Sequence, residues 1–229
     1  MSPASIQTGD DFVLDRERTT TTKDRTVIEY DSIEDIKKAL KQQVAVDGYN
    51  SDWMLQNYDA TTTTAYPNHI EDEALRLSVL KSYNILDSAT EMEFDAITDE
   101  CKRYFKCPIA VVSFVDMGRQ WFKSVQGHND KETPRCIAFC AHVVKRSTNT
   151  VMVVPDATKD IRFKDGPLVR GGKVAFYAGA PIITPEGQKV GSLCVIDTKP
   201  HPEGLSLLQQ EMLKTLAQEV VLQMVTRVY

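Results

Sequence analysis

Cys136, Cys140 and His142 are the residues whose types most suggest chemistry, because thiolate and imidazole are good ligands for zinc or iron. Cys136 and Cys140 would share one face of a helix predicted over 136–144, with His128 on the preceding loop. His142 is two positions from Cys140, off that face, and no second Cys-x-x-Cys pair follows. We therefore predict no metal site here, and expect a buried cysteine in a helix packed on a sheet.

Thiol redox chemistry is the second interpretation of the cysteines. It requires an exposed thiol of low pKa beside a resolving partner, and Cys136, Cys140 and Cys194 are the candidates. A disulfide across one helical turn is strained, and Cys194 lies inside the apolar run 190–196, which indicates an inert core thiol. A cysteine-based redox enzyme or sensor is therefore retained as the alternative function.

A polar loop near Arg162 allows two interpretations. Asp160 and Arg162 can form an ion pair that holds the loop, which we favour, or Arg162 can contact an anionic ligand between aromatic walls such as Tyr177. The sequence shows no glycine-rich phosphate loop, triad spacing or paired catalytic carboxylates. We therefore predict a protein that is not an enzyme.

Composition and charge narrow the class of protein. The 229 residues are 42% hydrophobic and 26% charged, as in soluble globular proteins, and the first eleven residues do not form a signal peptide. The five cysteines, without paired spacing, indicate a reducing compartment, so we expect a cytoplasmic protein. The net charge of −5 lies entirely in residues 1–68, and neither part is basic, so we expect no nucleic-acid or membrane partner.

The first 68 residues form a predicted N-terminal extension, acidic and threonine-rich, to a main domain over 69–229. Residues 1–30 are expected to be mobile and removable by proteolysis. A short amphipathic helix is predicted near 33–45, capped by Ser32. The helix and an apolar cluster around Trp53 either pack on the main domain, which we favour, or dock a partner.

Hydrophobic periodicity sets out the elements of the main domain. Two helices precede strands at 109–116 and 120–125, and the helix at 136–144 precedes a short strand at 151–154. The strands at 174–183 and 188–196 form an antiparallel hairpin, and a helix of about 22 residues follows, with Leu208, Met212, Leu216, Val220 and Met224 in one stripe. The pattern predicts an α+β domain with one sheet and helices packed on it.

These elements carry motifs in a fixed order over residues 71–229. The motifs include Cys107-Pro108-Ile109-Ala110-Val111-Val112-Ser113-Phe114-Val115-Asp116, Arg119-Gln120-Trp121-Phe122, Phe139-Cys140-Ala141-His142, Asp160-x-Arg162-Phe163, Phe176-Tyr177-Ala178-Gly179-Ala180-Pro181 and Gly191-Ser192-Leu193-Cys194-Val195-Ile196-Asp197. In these motifs the sequence resembles the GAF domains attached to bacterial sensor histidine kinases and diguanylate cyclases. The resemblance implies a GAF-like antiparallel sheet with terminal helices on one face and loops and short helices on the other.

The resemblance also implies a sensory function. GAF domains hold a small ligand between the sheet and its covering loops, and transmit its presence through the terminal helices, usually as dimers. Polar and aromatic groups expected on the loop-covered side give the predicted ligand contacts, which are Phe122, Cys140, His142, Arg162, Phe176 and Tyr177. An alanine separates Cys140 from His142, which disfavours covalent bilin attachment, and the cyclic-nucleotide motif of phosphodiesterases is not found. The cofactor is unknown at this point.

The resemblance to GAF domains also implies which partners to expect. We expect a homodimer through the terminal helices, with a monomer capped by the N-terminal segment as the alternative. No kinase or cyclase sequence follows the last helix, so the output is expected to come from another protein in trans. The resemblance also gives the cysteine-based alternative a model, because a related GAF branch reduces free methionine sulfoxide with a catalytic cysteine. A ligand-free interaction scaffold is a further alternative function.

Overall fold

The computed structural model describes residues 32–46 and 69–227. The predictions for residues 1–30 and for the cluster around Trp53 lie outside these ranges. The N-terminal helices are α1 (Ile33–Val46), α2 (His69–Ser82) and α3 (Met92–Phe105). Within the two described ranges, no helix has the length and apolar character needed to span a membrane.

Six strands form one antiparallel sheet in the order β3-β2-β1-β6-β5-β4. The strands are β1 (Ile109–Val115), β2 (Arg119–Gln126), β3 (Glu132–Pro134), β4 (Met152–Val154), β5 (Phe176–Ile183) and β6 (Lys189–Asp197). The turn between β5 and β6 contains Gly187 at φ +83°, a conformation that glycine adopts without steric cost. The predicted α+β class and its strand hairpins are confirmed.

The middle of the chain corrects one predicted helix. Instead of one helix over 136–144, a 3₁₀ turn (Arg135–Ile137) is followed by α4 (Phe139–Lys145). Ala138 between them has extended backbone, φ −81° and ψ 122°, which no continuous helix allows. Cys136 and Cys140 therefore do not share a helix face. A further short helix, α5 (Pro167–Arg170), lies in the loop before β5.

The sheet separates two apolar cores. One core, under α2, α3 and the C-terminal helix, contains Leu80, Phe94 and Phe176. The other core lies under α4 and the loops, and contains Phe139 and Tyr177. Consecutive residues of a strand point to opposite faces, so Phe176 and Tyr177 belong to different cores.

The C-terminal helix α6 (Leu207–Thr226) begins at a capping box. The Ser206 hydroxyl accepts a hydrogen bond from the Gln209 N–H at 3.2 Å, and the Gln209 side chain accepts one from the Ser206 N–H at 2.9 Å. The helix packs mainly on β5 and α3. Its buried residues are Leu213, Leu216, Ala217, Val220 and Met224. Leu208, predicted in the stripe, is 75% exposed, because the burying face begins only after the first turn.

Helix α1 packs against α2, as the favoured interpretation expected. Ile36 is only 2% exposed, and Lys37 pairs with Glu71 at 3.8 Å. The Ser32 hydroxyl accepts a hydrogen bond from the Asp35 N–H at 3.2 Å, which is the predicted cap. Helix α1 therefore lies against α2, with Ile36 buried and Lys37 beside Glu71.

Candidate functional site

A cavity of about 60 Å³ lies between the sheet and the layer formed by α4 and the loops. Its floor consists of apolar side chains from β1, β5 and β6, including Val111, Tyr177 and Ile196. Phe139 of α4 and Leu168 of α5 line the opposite side. The walls of the cavity are therefore mostly apolar, and only a few polar side chains contribute to its lining.

Tyr177 lies fully buried along the cavity floor because Gly179 leaves room for its ring. The two residues are on the same face of β5, and a Cβ at Gly179 would overlap the Tyr177 hydroxyl. That hydroxyl donates a hydrogen bond to the Cys140 Sγ at 3.2 Å and lies 3.4 Å from the Ser192 Oγ. A buried polar cluster thus lies beneath the apolar cavity.

The Cys140 thiol is the reactive candidate in this cluster. Its Sγ lies 3.7 Å from the Cys194 Sγ, and both residues are buried. Burial raises the pKa of Cys140, but hydrogen bonds from Cys194, Ser113, Tyr177 and Ser192 outweigh burial and lower the pKa below that of a free thiol. The same pairing with Cys140, together with burial, raises the pKa of Cys194.

Polar side chains from two loops contribute to one part of the lining. His128 and Asp130 follow β2, and Lys173 precedes β5. The Asp130 carboxylate lies 3.4 Å from the His128 Nε2 and 3.9 Å from the Lys173 Nζ. Gly127, at φ +83°, turns the chain after β2 where a Cβ would overlap the Pro108 carbonyl. These polar residues can recognise the polar part of a ligand whose remainder fills the apolar cavity.

The structure brings together three of the six residues predicted from the sequence. Phe122, Cys140 and Tyr177 line the cavity. Phe176 lies on the opposite face of the sheet, fully buried and stacked on His201 with ring centroids 4.1 Å apart. The expectation that it shares the loop-covered side was wrong, because adjacent strand residues alternate between faces.

His142 and Arg162 lie close to the site but do not line it. Arg162 pairs with Asp160 through two nitrogens, at 2.9 Å and 2.6 Å, which is the loop-holding pair that the sequence favoured. The His142 ring packs edge-on against Phe163 with centroids 4.7 Å apart. Burial and the Arg162 and Lys145 charges lower the pKa of His142 to about 4, so the ring is neutral at neutral pH.

The polar residues of the lining were not predicted as ligand contacts. His128 was considered only as an extra metal ligand, and Asp130 and Lys173 were not considered. Their positions depend on the contact between the 127–131 and 166–174 loops, and no local sequence pattern predicts that contact. Among the residues that the structure describes, the donor atoms of Cys136, Cys140 and His142 do not gather within the distances that one metal ion needs.

The sequence of the main domain matches one known protein family. The GAF domain family model matches residues 90–224, which include all six strands and most of the long terminal helix. The chain belongs to the GAF family. GAF domains are sensory and regulatory modules, so the chain has the fold of a signalling component.

The chain is also similar to part of one characterised signalling enzyme. The chain is 41% identical over 138 residues to cyclic di-GMP phosphodiesterase PA2567 of Pseudomonas aeruginosa. The match covers 60% of this chain and 23% of the relative, so the chain spans about a quarter of that protein's length.

Solved structures with similar folds share little sequence identity with the chain. The GAF domain of an Acinetobacter phosphoenolpyruvate-protein phosphotransferase is 16% identical, with a TM-score of 0.48, over 66% of this chain and 94% of that one. Free methionine-R-sulfoxide reductase from Neisseria meningitidis is 15% identical, also with a TM-score of 0.48, over 67% of this chain and 90% of that one.

Proposed function

We propose that this chain is a sensory module that binds a small molecule in the cavity between the sheet and α4. The supporting observation is the cavity itself, with apolar walls around Tyr177 and the polar residues His128, Asp130 and Lys173 in its lining. Sites of this composition bind small molecules by apolar contact and orient them through a few polar groups. Phe122, Cys140 and Tyr177 are the proposed apolar and thiol contacts.

The size of the cavity restricts the ligand class. Its volume of about 60 Å³ is well below the roughly 300–1,000 Å³ of typical small-molecule sites. A ligand of a few heavy atoms fits the cavity as it stands, and a larger one requires the 127–131 and 166–174 loops to move apart. Asp130 and Lys173 supply both signs of charge, so we propose a ligand with an apolar body and a polar or zwitterionic end.

We further propose that the module regulates an enzyme of second-messenger signalling. The identity to part of a cyclic di-GMP phosphodiesterase supports this context, because the matched segment is 23% of that protein. The output would come from another domain or protein in trans. On this proposal the chain senses and does not itself catalyse the phosphodiester hydrolysis named for the relative.

Ligand binding through the polar residues can be tested with one matched pair of variants. Native mass spectrometry of the purified full chain against a small-metabolite library would first identify a binder. Lys173→Ala should then weaken its binding by about tenfold or more, because a charged hydrogen bond contributes about 1.5–3 kcal/mol. Lys159→Ala is the control, since Lys159 is an exposed lysine outside the lining. Equal affinities of the two variants would place the site elsewhere.

A thiol-based activity is the second candidate, supported by the 3.7 Å approach of Cys140 and Cys194. The substrate would be a small oxidant such as a sulfoxide, reduced to the sulfide as two thiols become a disulfide and water leaves. Incubation of the full chain with free methionine sulfoxide and dithiothreitol distinguishes the two functions. Turnover lost in Cys140→Ser and kept in Cys136→Ser would favour the enzyme over the sensor.

A homodimer through the terminal helices is the proposed route of signal transmission. Leu208 and Leu222 of α6 are 75% and 59% exposed, and Leu75 of α2 is 45% exposed. Sedimentation of the full chain should show a dimer that Leu222→Glu weakens, whereas Ile161→Glu, at a remote residue 84% exposed, should not weaken it. A dimer that forms only after removal of residues 1–68 would make the N-terminal segment its cap. A monomer in both forms at micromolar concentration would contradict the dimer.

A further inference from the structure

A group of three different metal-ligating side chains lies outside the cavity, on the face of the sheet covered by the long helices. Cys107, Asp197 and His201 each direct one donor atom to the same place, and these atoms all lie within 4.8 Å of one another. Among the residues that the structure describes, this is the one such group of three or more His, Cys, Asp or Glu side chains. The cavity and its proposed ligand do not involve any of them.

The fold brings the three residues together from separate segments. Cys107 lies between the end of α3 and the start of β1, and Asp197 is the last residue of β6. Ile109 of β1 pairs with Ile196 of β6 in the antiparallel ladder, so the start of one strand lies beside the end of the other. His201 follows Asp197 by four residues, in the turn that leads to α6.

Asp197 and His201 are already held in position. The Asp197 Oδ1 accepts a hydrogen bond from the Lys199 N–H at 3.0 Å, and its Oδ2 lies 3.0 Å from the His201 Nε2. The His201 backbone N–H donates to the Pro155 carbonyl at 2.9 Å, and its ring stacks on Phe176. The Lys199 N–H, the Pro155 carbonyl and the Phe176 ring orient the two side chains from outside, and such outer contacts are a regular feature of metal sites. The Oδ2–Nε2 contact instead joins the two donor atoms themselves.

The separations fit a tetrahedral ion of the size of zinc. With bonds of about 2.0 Å to nitrogen and oxygen and about 2.3 Å to sulfur, the donor atoms stand about 3.3–3.6 Å apart. The observed nitrogen–oxygen distance of 3.0 Å is close to that value, and the Cys107 sulfur, at most 4.8 Å from the other two donor atoms, needs a shift of about 1.3 Å at most. A thiolate and an imidazole favour zinc over magnesium or calcium, which bind oxygen ligands.

We propose that Cys107, Asp197 and His201 bind one zinc ion, with water as the fourth ligand. On binding, the Cys107 thiol gives its proton to solvent and the thiolate bonds to the metal. The Asp197 and His201 side chains keep 14% and 22% of their surface exposed, which leaves an entry path from water. The ion would link the start of β1 to the turn that leads to α6. It would thereby hold the N-terminal end of the helix that is proposed to transmit the signal.

A purely structural Asp197–His201 hydrogen bond is the competing explanation, and it does not involve the cysteine. Cobalt titration of the chelator-treated full chain separates the two. Co²⁺ should bind at one per chain and produce a thiolate-to-metal charge-transfer absorption, and Zn²⁺ should displace it. Cys107→Ser should abolish this absorption and weaken Zn²⁺ binding by about tenfold to a hundredfold, with His201→Ala weakening it similarly. Cys136→Ser, at a half-buried cysteine outside the group, should leave both unchanged.

Circular dichroism and thermal unfolding of the metal-free variants establish whether each one folds. The wild-type melting temperature should rise with added Zn²⁺, because a ligand that binds the folded state stabilises it, and folded Cys107→Ser should lose most of that rise. If Cys107→Ser does not fold, the rate of Cys107 alkylation by iodoacetamide is compared with and without Zn²⁺ in the wild-type chain, in urea below the unfolding midpoint, because the folded chain already buries this thiol. Absence of stoichiometric binding, a charge-transfer band that survives in Cys107→Ser, or an unprotected Cys107 would overturn the proposal.

Discussion

Replacing Glu73 by glutamine is expected to lower the free energy of unfolding at pH 7 by about 3–5 kcal/mol. The Glu73 carboxylate accepts hydrogen bonds from the Arg76 Nε and Nη2, at 2.8 Å and 2.6 Å, and from the Arg135 Nη1 at 2.6 Å. Both arginines are almost fully buried, at 5% and 7% exposure. Loss of the carboxylate charge leaves two guanidinium groups in the interior without their anion.

The same carboxylate gives the protein a defined acid sensitivity. Burial raises the pKa of Glu73, but the charges and hydrogen bonds of Arg135 and Arg76 outweigh it and lower the pKa to about 2. A depressed carboxyl pKa contributes stability above the unfolded-state pKa near 4.5, and this contribution disappears as the pH falls towards 2. The difference corresponds to about 3 kcal/mol.

Urea unfolding of wild type and variants at pH 7 and pH 3 measures this contribution. Glu73→Gln should be much less stable than wild type at pH 7, and the gap should narrow at pH 3. Asp72→Asn is the matched control, because Asp72 is the exposed neighbour of Glu73 on the same helix. A gap below about 1 kcal/mol at pH 7, typical of an exposed ion pair, would contradict the prediction.

The sequence predicted the sheet better than the short helices, for a physical reason. A strand such as β6 is apolar on both faces and is bounded by turn residues, so its own residues specify it. The break at Ala138 between the 3₁₀ turn and α4 has no such signal, since alanine is the best helix former. That break arises from packing between distant parts of the chain.

In the candidate site, too, some residues could be predicted from the sequence and others could not. Cys140 and Tyr177 belong to buried elements, and they could be predicted as ligand contacts from the sequence because one carries a thiol and the other an aromatic ring with a hydroxyl. Phe176 could have been assigned by parity, because two consecutive residues of one strand cannot both face the cavity. Asp130 and Lys173 meet only because two loops, about forty residues apart, close over the same strands.

The ion cluster around Glu73 depends above all on contacts between residues that are distant in the sequence. Glu73 and Arg76 are three residues apart on α2, which is an ordinary helix-surface spacing and predicts a weak exposed pair. Arg135, 62 residues further on, converts that pair into a buried network that joins α2 to the turn after β1, where its Nη1 also contacts the Asp116 carbonyl at 3.1 Å. Sequence spacing does not show such a long-range contact.

His142 should make the protein lose stability between pH 6.5 and pH 4, by up to about 3 kcal/mol. Its pKa is about 4 in the folded protein and near 6.5 when unfolded, because burial and the charges of Arg162 and Lys145 disfavour the imidazolium. The unfolded chain therefore binds more protons in this range. The contribution of a neutral buried ring is complete above pH 6.5 and is lost as the pH falls to 4.

The pH window separates this effect from that of Glu73, which operates below about pH 4.5. Unfolding free energies of His142→Phe should change little between pH 6.5 and 5, while wild type declines, because the phenyl ring keeps the contact with Phe163 without a titrating nitrogen. His128→Ala, which removes a histidine from the cavity lining, should retain the wild-type slope. A wild-type slope in His142→Phe, or its loss in His128→Ala, would assign the acid sensitivity to a different group.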